Sequence, residues 1–273
     1  MVINDQLLKS KQEKDLHHLK NEGLLRLDEL LAIWRTHSMD RNDGSLIIIQ
    51  QVCDQIIKVG EPLIALDILN SVLEEWPDDI RLLQLFALAS ARTGAPERAH
   101  EGLKKLGGAQ SDDAETLGLQ ARIYKDLWKN DKNGTLGKIN LQLASETYEK
   151  AYRLHNLPWP GINAATTALL LGNASRAQVL AKDVTALCLQ LLEHSNDKYW
   201  IHCTSGEAAI ILEEWDNAAT EYAHANQLGK GRFADLSTTK QQALLLLKHL
   251  GKNKDWLYIP KIPIRSIIST ESL

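Results

Sequence analysis

The chain has no apolar stretch long enough to cross a bilayer. Its longest uncharged apolar run, residues 164–171, falls far short of the roughly 20 residues that a spanning helix needs. The first residues, MVINDQLLKSKQEKDLHHLK, are charged and lack the hydrophobic segment of a secretory signal. Cysteine is scarce: Cys53, Cys188 and Cys203 have no metal-ligand spacing and cannot all pair, which points to a reducing cytoplasm. Charge of one sign is also scarce. A net charge of -4 gives no footprint for direct DNA binding or for an acidic membrane surface. There is no glycine-rich phosphate loop, no metal motif and no placeable Ser/His/Asp order, so no cofactor is expected.

What is present is helical. Leu and Ala dominate, and β-branched residues rarely alternate with polar ones across a chain that is 44% hydrophobic and 24% charged. Internal repetition then sets the fold. Ala65, Leu69, Val72 and Pro77 match the small, large, small, proline spacing of the tetratricopeptide pattern. Ala99, Leu103 and Leu106 repeat the first three positions one 34-residue period later. Further matches are Ala144, Tyr148 and Ala151; Ala177, Ala181 and Val184; and Ala218, Tyr222 and Ala225. Small residues let two helices of a hairpin cross closely. Large ones fill the groove to the next hairpin, and no hairpin buries its apolar face alone.

The expected architecture is all-α: a right-handed tetratricopeptide-like superhelix of helical hairpins, with extra N-terminal helices and an extended C-terminal tail. Residues 1–40 are N-terminal helices packing on the array. Residues 45–250 hold five hairpins plus a capping helix near 236–250. Residues 251–273, with the proline-spaced segment 256–263, form the tail. In the third repeat, residues 129–134 read as a loop, with the second helix resuming near Ile139.

Aligning the repeats gives each side chain a helical position. The small position of the first helix falls at Ala121, Ala165 and Gly206, and Arg122, Thr166 and Glu207 follow it; the resemblance to tetratricopeptide repeats implies that these first helices line the groove. One turn on comes Lys125, and earlier in the fifth repeat come Thr204, Trp200 and Lys198. Two readings stand. In one, these are solvated or ion-paired residues with aromatic packing, Trp159 and Trp200 included. In the other, Arg122 and Lys125 hold a phosphate or carboxylate group and Glu207 serves as acid or base.

The stretch PWPGINAATTALLLG, residues 158–172, belongs to the same question. Pro160 suits a helix start, and Gly161 replaces a normally bulky residue, which allows close approach to the backbone. Asn163, in the first turn, either caps locally or reaches a ligand.

Residues 115–128 (ETLGLQARIYKDLW), 148–172 and 198–225 together resemble the tetratricopeptide-type central regulatory region of the apoptosis-signal-regulating kinases, often labelled TRAF-binding, and its stand-alone bacterial relatives. The resemblance rests on Arg122, Ile123, Tyr124, Lys125 and Asp126, on Gly161, Ile162 and Asn163, and on Thr204 and Glu207. It implies a regulatory module in stress or antiviral signalling that binds a protein partner and carries a concave pocket for a nucleotide or other phosphate-bearing ligand. The alternatives are an effector enzyme acting on a nucleotide and a passive adaptor. The oligomeric state is left open.

Overall fold

A computed structural model describes residues 2–39 and 42–253, with backbone only for residues 2–8. The expected tail falls almost wholly outside the described residues. The described residues form thirteen α-helices, a 3-10 turn at Gly108–Gln110 and no strand. Two helices, α1 (Val2–Asn21) and α2 (Leu27–His37), pack on α3. Five hairpins follow: α3 (Asp43–Val59) with α4 (Pro62–Val72), α5 (Ile80–Arg92) with α6 (Pro96–Lys104), α7 (Ala114–Asn130) with α8 (Thr135–His155), α9 (Pro158–Leu170) with α10 (Ala174–Leu191), and α11 (Lys198–Ile211) with α12 (Trp215–Leu228). The last helix is α13 (Phe233–His249).

Local chemistry explains the helix ends. Side chains of Asn42, Asp79, Asp113 and Asn173 accept hydrogen bonds from backbone N–H groups of the first turns of α3, α5, α7 and α10. Pro62, Pro96 and Pro158 open α4, α6 and α9, where a missing N–H costs nothing. The bends inside hairpins one, two and four use Gly60, Gly94 and Gly172 with φ of 99°, 80° and 82°, a left-handed region that other residues enter at a cost.

Packing follows the repeat arithmetic. Ala65, Ala99, Ala144, Ala177 and Ala218 are each wholly buried. So is Cys53, a free thiol on the small position of α3 that acts as core packing. One core joins α1 to α5, and another joins α7 to α13.

Two expectations change. The third hairpin has no long loop: its extra residues lengthen both helices, and α8 starts at Thr135 after a tight turn. There the Asp131 carboxylate accepts from Gly137 N–H at 3.1 Å. Nor does α13 cap the stack. It packs on α11 and reaches back to α3, at the opposite end of the array. Its polar side chains touch α5, α7, α9 and α11, the first helices of four hairpins. These helices line the concave side, so α13 lies within the groove.

Candidate functional site

The centre of the groove is a buried polar cluster. Lys125, on α7, is only 6% exposed, yet it stands where the other hairpins place Ile57, Ala91, Leu169 and Ile210. Its Nζ donates to Asn163 Oδ1 at 2.8 Å and to Gln242 Oε1 at 3.2 Å, and it sits 5.7 Å from the centre of the Tyr148 ring. Asn163 is held in turn by donating to the Trp159 carbonyl at 2.9 Å. Gln242 also donates to Thr166 Oγ1 at 3.3 Å.

Glu207, on α11, faces the same cluster and is 8% exposed. Its Oε2 has no hydrogen-bond partner among the described residues. Burial pushes its pKa up, and the charge of Lys125 and a bond with Gln242 oppose that. Burial likewise pulls Lys125 down, with Lys129 adding to it, while Asp126 and Glu207 oppose it. Each group's charge favours that of the other, but burial outweighs this for both.

Arg122 and Asp126, one turn apart on α7, pair at 3.6 Å, and Lys129 donates to Asp126 at 2.9 Å. Burial works against the Asp126 charge, but Lys129 and Arg122 overcome it and leave its pKa below the ordinary value. At the other end of the groove Arg92 donates to the Ile57 carbonyl at 2.9 Å and to Asp235 of α13 at 3.4 Å. Asp235 is 2% exposed and also accepts from Arg232 at 3.0 Å. Thr239 Oγ1 of α13 lies 2.9 Å from the Tyr199 hydroxyl.

Of the residues singled out from the sequence, Arg122, Lys125, Asp126, Asn163 and Glu207 come together here. Thr204 is buried on α11, just before Glu207. Tyr124 turns away. Its ring lies 5.8 Å from His100, beside a separate cleft of about 340 Å³ lined with Lys104, Gly108 and Gln120. Lys198 is exposed on a second cleft of about 320 Å³ with Tyr199 and Arg232. Trp200 packs edge-on against Tyr199. Neither cleft touches Glu207.

The space at Gly161 is taken up by packing. A Cβ there would stand 2.6 Å from Val184 Cγ2 and 2.9 Å from the Tyr152 ring. The neighbouring Trp159 lays its indole directly over Gly118 of α7, so PWPG is shaped by helix contacts on both sides.

The sequence reading missed Asp235, Thr239 and Gln242. They form an i, i+4, i+7 polar stripe on one face of α13, a pattern that reads as a solvated face until the helix is placed in the groove. Arg92 was missed for the same reason: its partner lies on α13.

Residues 61–170 match the family described as Tetratricopeptide Repeats-Sensor. Among solved structures, TTC0263, a thermophilic TPR protein of Thermus thermophilus, aligns with a TM-score of 0.56 at 22% identity, covering 73% of this chain and 97% of that one. The human IFIT1 dimer with PPP-AAAA aligns with a TM-score of 0.51 at 15% identity, covering 92% of this chain and 63% of that one. No curated protein matches the chain. With five hairpins and these likenesses, the described residues have a tetratricopeptide-like fold: an all-α superhelix of helical hairpins. No helix among the described residues is long and apolar enough to cross a membrane.

Proposed function

We propose that the protein is a regulatory interaction module of the cytoplasm whose concave groove holds its own α13 and exchanges it for a helix of a protein partner. The observation that carries this reading is the polar stripe of α13. Asp235 meets Arg92, Thr239 meets Tyr199, and Gln242 meets Lys125 and Thr166. A core helix needs no such stripe, whereas a groove that reads a helix by alternate polar anchors does. The partner this fits is an amphipathic helix with a carboxylate and an amide about two turns apart. With α13 displaced, Arg92, Arg122 and Lys125 would face the groove together, which is where a phosphate-bearing ligand would be held. The likeness to a family described as a sensor, and the resemblance to a kinase regulatory region, support regulation over passive scaffolding. With α13 in place, Gln242 and Tyr222 occupy the surroundings of Glu207, which disfavours an enzyme acting through it in that state.

A fluorescent peptide with the sequence of residues 233–249 tests the exchange. The double variant Asp235→Asn/Gln242→Ala, with its resident helix loosened, should bind that peptide at least tenfold more tightly than wild type does. Hydrogen exchange should show α13 opening in wild type below the global unfolding free energy. If α13 exchanges only through global unfolding and the peptide binds neither protein, α13 is a fixed part of the core and the reading fails.

A further inference from the structure

A second polar cluster lies outside the groove, between the two helices of the last hairpin. His202 on α11 places Nδ1 2.8 Å from Glu221 Oε2 on α12. His224 follows Glu221 by three residues, on the same face of α12, and its ring centre is 5.0 Å from that of His202. One ligating atom from each of the three residues lies within 4.8 Å of the other two.

The repeat makes this cluster stand out. The position of His202 is held by Ile49, Leu83, Leu117 and Gly161 in the other four hairpins, and that of Glu221 by Ile68, Gly102, Thr147 and Leu180. These pairs are mostly apolar or small and close each hairpin by packing. The fold therefore does not call for an imidazole facing a carboxylate here. A single hydrogen bond at such a place contributes only about 0.5–1.5 kcal/mol to stability.

We infer that His202, Glu221 and His224 form a site for a divalent transition-metal ion of the zinc type. Two imidazoles and one carboxylate are the donor set that favours zinc over calcium or magnesium, which prefer oxygen ligands alone. Bonds of about 2.0–2.2 Å to a tetrahedral ion put ligand atoms roughly 3.4 Å apart. To reach that spacing, atoms as far as 4.8 Å apart close by about 1.4 Å and the 2.8 Å His202–Glu221 pair opens by about 0.6 Å, shifts that side-chain torsions can supply. Glu221 and His224 come from one turn of one helix and His202 from its partner, so an ion would clamp α11 to α12. Because His224 is exposed, solvent reaches the site and supplies the fourth ligand as water. The cluster shares no residue with the groove around Lys125, Glu207 and Gln242, so it stands or falls independently of the exchange of α13.

The test uses the full-length chain, freed of metal with a chelator and titrated with zinc chloride by calorimetry. Wild type should bind one equivalent tightly and gain thermal stability on binding. Cobalt in place of zinc should give the visible absorption of a low-symmetry four-coordinate site. His224→Ala, at an exposed position, should keep the helical circular dichroism while losing at least tenfold in zinc affinity along with the cobalt absorption. Glu221→Gln should also weaken binding. The chain has nine histidines, so weak adventitious binding is separated by its stoichiometry. Wild type without a one-equivalent phase, or His224→Ala titrating as wild type does, would overturn the site.

Discussion

Lys125 and Gln242, 117 positions apart in sequence, meet across the groove at 3.2 Å, with the ammonium donating to the amide oxygen. That bond joins the third hairpin to the last helix. Lys125 sits on an apolar register of the repeat, so packing alone does not account for it. Replacing Gln242 by Leu strips partners from both Lys125 and Thr166 while keeping the side-chain volume. Leaving buried polar groups unsatisfied costs about 1–3 kcal/mol each. Urea unfolding should show Gln242→Leu destabilised by about that amount. Lys125→Met combined with it should cost less than the sum of the two single changes, because residues in contact are not additive. Additive costs would mean that the contact has no energetic weight.

Asp126 gives a pH dependence with a definite sign. Its ion pairs with Lys129 and Arg122 hold its folded pKa below the ordinary value of 3.8. A carboxylate lowered in this way adds stability that is fully present above its unfolded value and is lost as pH falls through the folded one. The residue keeps some exposure, so solvent trims the effect to about 1 kcal/mol or less. Asp126→Asn should be less stable than wild type at neutral pH, and the gap should close on acidification below 3.8. A gap that stays constant into acid would assign the loss to packing.

Gly161 tests whether PWPGINAATTALLLG is shaped for packing. A methyl group there meets Val184 and the Tyr152 ring inside van der Waals distance. Overpacking of this kind costs about 1–3 kcal/mol. Gly161→Ala should lower the unfolding midpoint accordingly, and Gly161→Ala combined with Val184→Ala should recover part of it. An unchanged midpoint would mean that the space at Gly161 is free.

The hairpin array was legible in the sequence because close-packing positions repeat. Ala65, Ala99, Ala144, Ala177 and Ala218 announce each second helix without any long-range information. The cluster around Lys125 and Glu207 was partly legible, since Arg122, Thr166 and Glu207 share the position that follows the small residue of the first helix and Lys125 comes one turn after Ala121. Where α13 lies was not. Its Leu and Ala positions are satisfied equally by capping the stack or by filling the groove. Only the contacts of Asp235 with Arg92 and of Gln242 with Lys125, made between residues 143 and 117 positions apart, separate the two. The third hairpin differs from its sequence reading for a local reason: the polar stretch 129–134 signals a loop, yet α7 runs to Asn130 and the rest is a tight turn folded around Asp131.

Glu213 marks one hairpin bend that departs from the others. It adopts φ of 60° at the register where Gly60, Gly94 and Gly172 stand in hairpins one, two and four. A side chain in the left-handed region costs roughly 1–2 kcal/mol. Glycine avoids that strain but loses about 0.5–1 kcal/mol through a freer unfolded chain. The balance favours Glu213→Gly by up to about 1.5 kcal/mol, seen as a higher urea midpoint with an unchanged slope. The reverse change checks the cause. A Cβ at Gly172 meets nothing within 4 Å, so Gly172→Ala carries backbone strain without a clash and should destabilise by about 1 kcal/mol. If Gly172→Ala is neutral while Glu213→Gly still stabilises, the gain comes from removing the Glu213 carboxylate, and Glu213→Gln would reproduce it.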